Sequence, residues 1–176
     1  MEVVLATQND IPDIIPLQAQ IYRVTSSPEN ATKILEDLIK SDNCDIFVAK
    51  DEGKVVGSGL IFYLNNPGHN QPFAFLEGIV VDDKVRGKGI GTKLSKFAIE
   101  LAKGKNCYKI LFTSGMDRSN IHQFYENLGF KVLEEISKTG KTVSELVNPY
   151  KKYFHSGEIN FSVENKKKVL KTLGKK

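Results

Sequence analysis

The sequence has no long hydrophobic run and little cysteine. None of its apolar stretches approaches the ~20 residues that a membrane-spanning helix needs. The first ten residues, MEVVLATQND, lack a basic region followed by a long apolar segment, which argues against a secretory signal. The two cysteines, Cys44 and Cys107, are far apart and adjoin strand-like sequence, so we expect buried thiols rather than a disulfide framework. These absences predict a cytoplasmic protein with no membrane partner.

The sequence also lacks internal repeats and low-complexity linkers. Its 176 residues are within the usual size of one domain, and a composition of 40% hydrophobic and 26% charged residues argues against both disorder and a fibrous protein. We expect one folded domain over residues 1–150. We expect residues 151–176 to be a basic C-terminal extension that packs on this domain or completes it.

Positive charge is concentrated at the C-terminal end. Residues 151–176 contain eight lysines and two glutamates, a local charge of +6 that leaves −2 for the rest of the chain. Such a segment could bind nucleic acid, or its lysines could cover the solvent face of a terminal helix. Because no aromatic-interleaved RNA-binding motif accompanies the charge, the solvent-face interpretation is favoured and nucleic acid is not an expected partner.

Hydrophobic periodicity predicts alternating strands and helices. Apolar residues at helical spacing indicate helices over residues 11–21, 29–40, 89–103 and 119–128. β-rich runs indicate strands over residues 2–6, in a hairpin over 45–64, and then over 73–81, 107–113 and from Phe130 onward. Beyond Glu135 the pattern weakens, and it predicts short β-like pieces (TVSELV and EINFSVE) and a final helix near residues 164–173. The order predicts an α/β (α+β) fold.

The segment RGKGIGT, residues 86–92, lies between a strand and an amphipathic helix. Backbone N–H groups at a helix N-terminus are unpaired and favour anions, and glycines let a phosphate approach the backbone closely. The P-loop pattern is absent, and the dinucleotide pattern G-x-G-x-x-G fails because Thr92 or Leu94 stands where its third glycine is required. The segment therefore predicts an anion site of another kind.

Two motifs resemble those of the GNAT acetyltransferases. Residues 86–91 fit Arg/Gln-x-x-Gly-x-Gly/Ala, which resembles the pyrophosphate-binding motif of that family, and RSNIHQFYENLGF, residues 118–130, resembles its second conserved stretch. The resemblance covers residues 45–131. It implies the GNAT acyl-CoA N-acyltransferase fold, a mixed, mostly antiparallel sheet flanked by about four helices. It also implies an N-acetyltransferase that uses acetyl-CoA as co-substrate and no metal.

The resemblance implies roles for two ionisable residues. Acetyl transfer from a thioester to an amine needs removal of a proton from the ammonium, stabilisation of an oxyanion and protonation of the thiolate. Glu77, on the fourth strand, is the candidate base, directly or through water, and Tyr125 is the candidate proton donor. The alternatives are that Glu77 is a strand carboxylate paired with a lysine and that Tyr125 is a core residue. A fourth-strand amide, with Ile79 as candidate, would hold the oxyanion.

The resemblance also implies a binding surface for the cofactor. The fourth strand would pair with the pantetheine arm, the loop that follows would hold the pyrophosphate, and a residue at the start of the fourth helix would contact the pantetheine amide or the nucleotide end. These residues are Ile79, Val80, Val81, Arg86, Gly87, Lys88, Gly89, Ile90, Gly91, Thr92 and Asn120. Strict alternation puts Glu77, Ile79 and Val81 on one face of the strand, unless Gly78 marks a bulge, as the family has there.

The acceptor amine is not specified by these motifs. CYKI, residues 107–110, resembles a segment of amino-sugar phosphate acetyltransferases, although the rest of that signature is absent. A small-molecule primary amine, acetylated by direct attack in a ternary complex, is favoured over a protein lysine or N-terminus. A non-catalytic CoA-binding regulator is the alternative of a different class. The 46 residues after Phe130 depart from the family pattern, and a homodimer contact or a substrate cover is open for them.

Overall fold

The computed structural model describes residues 1–22, 28–113, 119–130, 154–155 and 158–159. The chain divides into two compact units, Met1–Thr113 and Ser114–Lys176. In the first unit the elements are β1 (Glu2–Leu5), α1 (Ile11–Tyr22), α2 (Ala31–Ile39), β2 (Cys44–Asp51), β3 (Lys54–Leu64), β4 (Phe73–Val81), α3 (Ile90–Gly104) and β5 (Ile110–Leu111). In the second they are α4 (Ser119–Glu126), β6 (Phe154–His155) and β7 (Glu158–Ile159).

The sheet of the first unit is mixed, with the strands in chain order from β1 to β5. The first four strands are antiparallel neighbours, and β5 joins β4 in parallel. Glu52 and Gly53 join β2 to β3 with φ of 49° and 82°, the geometry of a two-residue hairpin turn, which confirms the predicted hairpin. In the second unit β6 and β7 form a separate two-stranded pair.

The helices of the first unit cover both faces of the sheet. On one face, α1 and α2 bury their apolar residues with those of the strands, in a core formed by Ile11, Ile14, Leu17, Leu35, Cys44, Ile46, Val48, Val55, Leu60 and Val80. On the other face, α3 buries Ile90, Leu94, Ala98 and Ala102, one residue per turn. The rings of Phe47 (β2) and Phe97 (α3) lie 5.7 Å apart. The mixed α/β fold expected from the sequence is confirmed.

Most element predictions in the first unit are confirmed to within a few residues. The strand expected over residues 107–113 is shorter, since only Ile110 and Leu111 pair with β4. Cys44 is buried and Cys107 half-buried, and both thiols are free. Burial, with the charge of Asp45 as a second cause, raises the pKa of Cys44 to about 12. TVSELV and the predicted final helix lie outside the described residues, as does EINFSVE apart from its first two residues.

Within the described part of the chain, no helix has the length and apolar character needed to cross a membrane.

A charged contact fixes the entry to α1. Both the backbone N–H and the hydroxyl of Thr7 donate to Oδ2 of Asp10 at 2.9 Å, and Nζ of Lys50 lies 2.7 Å from Oδ1 of the same carboxylate. Burial alone would raise the pKa of Asp10, but the hydrogen bonds from Lys50 and Thr7 and the Lys50 charge outweigh it. The pKa of Asp10 therefore lies below its ordinary value, and the ionised form stabilises the fold.

We expect Asp10→Asn to lower the free energy of unfolding at pH 7 by about 1–3 kcal/mol, because it removes a charge-assisted contact from a buried site. A depressed carboxyl pKa contributes stability above the unfolded value of about 4, and this contribution is lost as the pH falls through the folded value. The variant should therefore lose less stability than the wild type on acidification. Urea unfolding between pH 7 and pH 3 measures both effects.

The exposed turn residue Asp42 provides the matched control, since Asp42→Asn should change stability by less than about 0.5 kcal/mol. An acid-side slope for Asp10→Asn equal to that of the wild type would contradict the assignment.

Candidate active site

A β-bulge interrupts β4 at the residue that the sequence marked. Ser58 of β3 pairs with Val80 and Leu60 pairs with Glu77, so Gly78 and Ile79 together lie opposite Gly59. Gly78 has φ of +63°, a left-handed conformation that suits glycine. The bulge suggested from the sequence is confirmed.

The bulge changes which side chains of β4 share a face. Directly paired residues point to the same side, so Glu77 shares the face of Leu60, which packs against α1 and α2. A β-carbon on Gly59 would lie 2.5 Å from Cδ1 of Ile79 and 2.6 Å from Phe47, so Ile79 points to the α3 face. Strict alternation, which put Glu77 and Ile79 together, is wrong because the extra residue reverses the pattern between them.

The edge of β4 that faces β5 is paired with β5 only near the start of β4. Only Ala74–Ile110 and Phe75–Leu111 are paired among the described residues. The backbone N–H of Ala74 donates to the Lys109 carbonyl at 2.9 Å, on the β5 side. After the bulge, the N–H of Asp82 donates to Val56 of β3 at 3.0 Å. Since successive N–H groups point to opposite sides, those of Ile79 and Val81 face the open edge, whereas Val80 faces β3.

This open edge leads directly into a glycine-containing loop. A short 3-10 turn, Asp83–Val85, follows β4, and Nε of Arg86 donates back to the carbonyl of Val81 at 3.0 Å. Gly87 and Gly89 have φ of +81° and +75°, and a β-carbon on either would meet nothing within 4 Å. The glycines are therefore required by backbone conformation rather than by crowding, and no described residue fills the space beside them.

The loop ends at the positive end of α3. Gly89 is the N-cap residue and supplies no side-chain cap, so the first N–H groups of α3, at Ile90, Gly91 and Thr92, have no capping acceptor among the described residues. Exposed cationic side chains surround this end: Lys84, Arg86, Lys88 and Lys93. The carboxylate of Asp82 caps the 3-10 turn instead, since its Oδ1 accepts from the Lys84 amide, which is the main cause of its lowered pKa. The arrangement suits a diphosphate.

Glu77 lies directly before the bulge and is half-buried. Its Oε1 accepts a hydrogen bond from the N–H of Gly78 at 3.2 Å. Among the described residues, no lysine or arginine lies within ion-pair distance of this carboxylate. The lysine-paired alternative for Glu77 is not seen in the part of the chain that the structure describes.

Sequence reasoning missed a polar contact to the bulge. Nε2 of Gln18, in α1, donates to the carbonyl of Gly78 at 3.0 Å and to Oγ of Ser58 at 3.1 Å. The available signal was the position of Gln18 within the apolar stripe of α1, where Ile14 and Ile21 are its neighbours on the same face. A polar residue in such a stripe points toward the sheet, but its partner cannot be read from the helix alone.

The remaining candidates lie on α4, in the second unit. Tyr125 is buried, and its ring packs edge-on against Phe124 and Phe130 at centroid distances of 5.0 and 5.5 Å. Asn120 is exposed. No group of three or more His, Cys, Asp or Glu residues suited to a metal ion occurs in the part of the chain that the structure describes.

Comparisons with known proteins agree with this geometry. Glucosamine 6-phosphate N-acetyltransferase of Trypanosoma brucei brucei is 31% identical over 90 residues, which are 51% of this chain and 59% of that protein. An uncharacterized N-acetyltransferase of Methanocaldococcus jannaschii is 29% identical over 137 residues, 74% of this chain and 60% of its own length. The chain thus spans less than two thirds of these relatives.

A solved structure aligns more completely. The putative acetyltransferase from Agrobacterium tumefaciens superposes with a TM-score of 0.70 at 28% identity, covering 78% of this chain and 100% of its own. The profile of the acetyltransferase (GNAT) family matches residues 11–130, which include the bulged strand, the glycine loop and α4. Because this match spans more than half of the sequence, the chain belongs to the GNAT acetyltransferase family.

Proposed function

We propose that this protein is an acetyl-CoA-dependent N-acetyltransferase that acetylates a primary amine of a small molecule by direct attack in a ternary complex. One observation carries the proposal. The open edge of β4 leads without interruption into a loop and helix N-terminus suited to a diphosphate. Acetyl-CoA has the matching order of parts, with a thioester, an amide-containing arm and a pyrophosphate.

The open edge supports pairing with the pantetheine arm. The N–H groups of Ile79 and Val81 face this edge, with Val80 between them holding the strand to β3. An extended amide-containing ligand can add to such an edge as another strand does. The pyrophosphate would then bind the amides and cations of residues 86–92, and the exposed Asn120 remains a proposed contact for the distal part of the cofactor.

The chemistry assigned to these groups is acyl transfer. Glu77 takes a proton from the ammonium, directly or through water, and the amine nitrogen then attacks the thioester carbon. The N–H of Ile79 stabilises the oxyanion, and the C–S bond breaks as the carbonyl re-forms. Tyr125 gives a proton to the departing thiolate, and the surplus proton on the new amide nitrogen passes to the resulting tyrosinate. The position of Glu77 beside the bulge, with no cationic partner among the described residues, supports its role as the base.

Two relatives favour a small-molecule acceptor. The Trypanosoma protein is named for glucosamine 6-phosphate, and so is an Arabidopsis thaliana relative that is 30% identical over 94 residues. Each match covers about half of this chain, so the amino-sugar phosphate is the first acceptor to test rather than an established one. Thiol release from acetyl-CoA, measured across amino sugars, polyamines and lysine peptides, identifies the acceptor class.

We expect Gly89→Asp to weaken CoA binding by more than about tenfold. The new carboxylate repels the pyrophosphate and opposes a set of charge-assisted contacts worth about 1.5–3 kcal/mol each. Gly53→Asp is the matched control, because Gly53 also has positive φ, of 82°, and open space around it, but lies in the β2–β3 turn. Titration calorimetry with CoA compares the two variants. Equal affinities would contradict the pyrophosphate site.

We expect Glu77→Gln to lower kcat by about 10²–10⁴-fold, the usual contribution of a general base, with acetyl-CoA affinity retained. Tyr125→Phe should lower kcat without weakening acetyl-CoA binding. Glu100→Gln, on the exposed side of α3, serves as control.

A different result would favour another function. If the wild type binds acetyl-CoA but turns over no amine, a CoA-binding regulator is supported instead.

A further inference from the structure

The side chain of Gln18 is hydrogen-bonded to the backbone of the bulge and to the strand opposite it. Its Nε2 has two hydrogens and two acceptors, the Gly78 carbonyl at 3.0 Å and Ser58 Oγ at 3.1 Å. Ser58 is fully buried. A β-carbon on Gly78 would lie 2.8 Å from Oε1 of Gln18, so the amide of Gln18 occupies the space above the glycine.

The contact fixes one peptide group of β4. The carbonyl of Gly78 and the N–H of Ile79 belong to the same planar trans peptide and point in opposite directions. Holding the carbonyl toward Gln18 therefore holds the Ile79 N–H away from α1, and the alternation of the ladder assigns that N–H to the open edge. Because Gly78 has wide conformational freedom, the peptide that follows it needs an external contact to hold one orientation.

The peptide on the other side of Gly78 is also held. Its N–H donates to Oε1 of Glu77 at 3.2 Å. One glycine thus separates two oriented peptides, one bonded to the candidate base and the other to Gln18. Both orientations depend on the bulge, because a regular strand would direct these groups alternately along the ladder.

We infer that Gln18 is a positioning residue for acyl transfer, which holds the Gly78–Ile79 peptide so that the Ile79 N–H meets the thioester carbonyl oxygen. The inference rests on the proposed function. An oxyanion donor is effective when it is oriented before the charge develops, since no free energy is then spent on turning it during the reaction. Gln18 touches neither the substrate nor the reacting atoms and acts through the backbone of β4.

The first test replaces Gln18 by methionine, which has similar length and no N–H donor. We expect kcat to fall by about tenfold or more, below the ~10²–10³ cost of losing an oxyanion donor outright, because the Ile79 amide remains but is less well oriented. The KM for acetyl-CoA should change by less than about threefold, since a loss in the transition state alone leaves ground-state binding intact.

A spectroscopic readout separates positioning from a merely structural role. The carbonyl stretch of bound acetyl-CoA, labelled with carbon-13 in the acetyl group, should lie below that of the free thioester in the wild type, because the Ile79 N–H polarises the bond. In Gln18→Met it should move back toward the free value. Gln71→Met is the matched control, since Gln71 donates to Asn106 at 2.9 Å away from the bulge.

Two further variants keep the test decisive if Gln18→Met does not fold. Ser58→Ala removes one acceptor of Gln18, the Ser58 hydroxyl, and leaves the other, the Gly78 carbonyl. Its kcat should stay within about threefold of the wild-type value. Gln18→Glu keeps the side-chain shape but sets an ionised carboxylate against the Gly78 carbonyl. Its carbonyl stretch should resemble the free value at neutral pH and shift toward the wild-type value on acidification, when the carboxyl group regains a donor.

The outcomes distinguish the two proposals. Unchanged kcat and carbonyl stretch in Gln18→Met or Gln18→Glu, with a wild type that binds and transfers acetyl, would overturn the role of Gln18 and leave the proposed function standing. Equal losses in kcat, acetyl-CoA affinity and stability would make Gln18 a structural residue only. Failure of the wild type to bind acetyl-CoA would refute the proposed function, and with it the inference.

Discussion

Ser58 pairs with Val80 and Leu60 with Glu77, and the intervening stretch holds one residue on β3 and two on β4. The extra residue has to be accommodated, and Gly78 does so with a left-handed backbone. Every later feature of β4 follows from this mismatch. It sets which amides face the open edge, which side chains face α3, and where the Gly78 carbonyl meets α1. The rest of the first unit surrounds this point from both sides of the sheet.

Small residues of β3 make room for this arrangement. A β-carbon on Gly59 would overlap Ile79 and Phe47, and one on Gly57 would lie 2.9 Å from the Val80 carbonyl and 3.0 Å from Leu94. At these two positions the residues on the α3 face therefore pack against the backbone of β3. On the opposite face, buried Ser58 presents a hydroxyl where an apolar residue would fill the core, and it gives Gln18 a second acceptor.

Local sequence patterns were enough to predict most of the first unit. The period of Ile90, Leu94 and Ala98 predicts α3, because it depends on neighbouring residues only. The anion site before α3 is read from the glycine spacing in the same local way, and it stays a prediction. The side-chain faces beyond Gly78 were not predictable in this way, since they depend on register with a strand some twenty residues earlier. The contact of Gln18 with Gly78 joins residues 60 positions apart, which no periodicity reveals. The predictions made from the weak C-terminal pattern lie largely outside the described residues.

The hydrogen bond from Arg86 to the last carbonyl of β4 gives the first residue of the loop motif a structural role. Nε of Arg86 donates to Val81, which leaves the other four N–H groups of the guanidinium for solvent or a ligand. A lysine ammonium would have to divide three donors from a single atom between these directions. Arginine and glutamine, the two residues of the family motif, share planar N–H donors on a flexible stem. The first residue of the motif thus joins the loop to the end of β4 through a side-chain hydrogen bond, a structural role that needs no ligand.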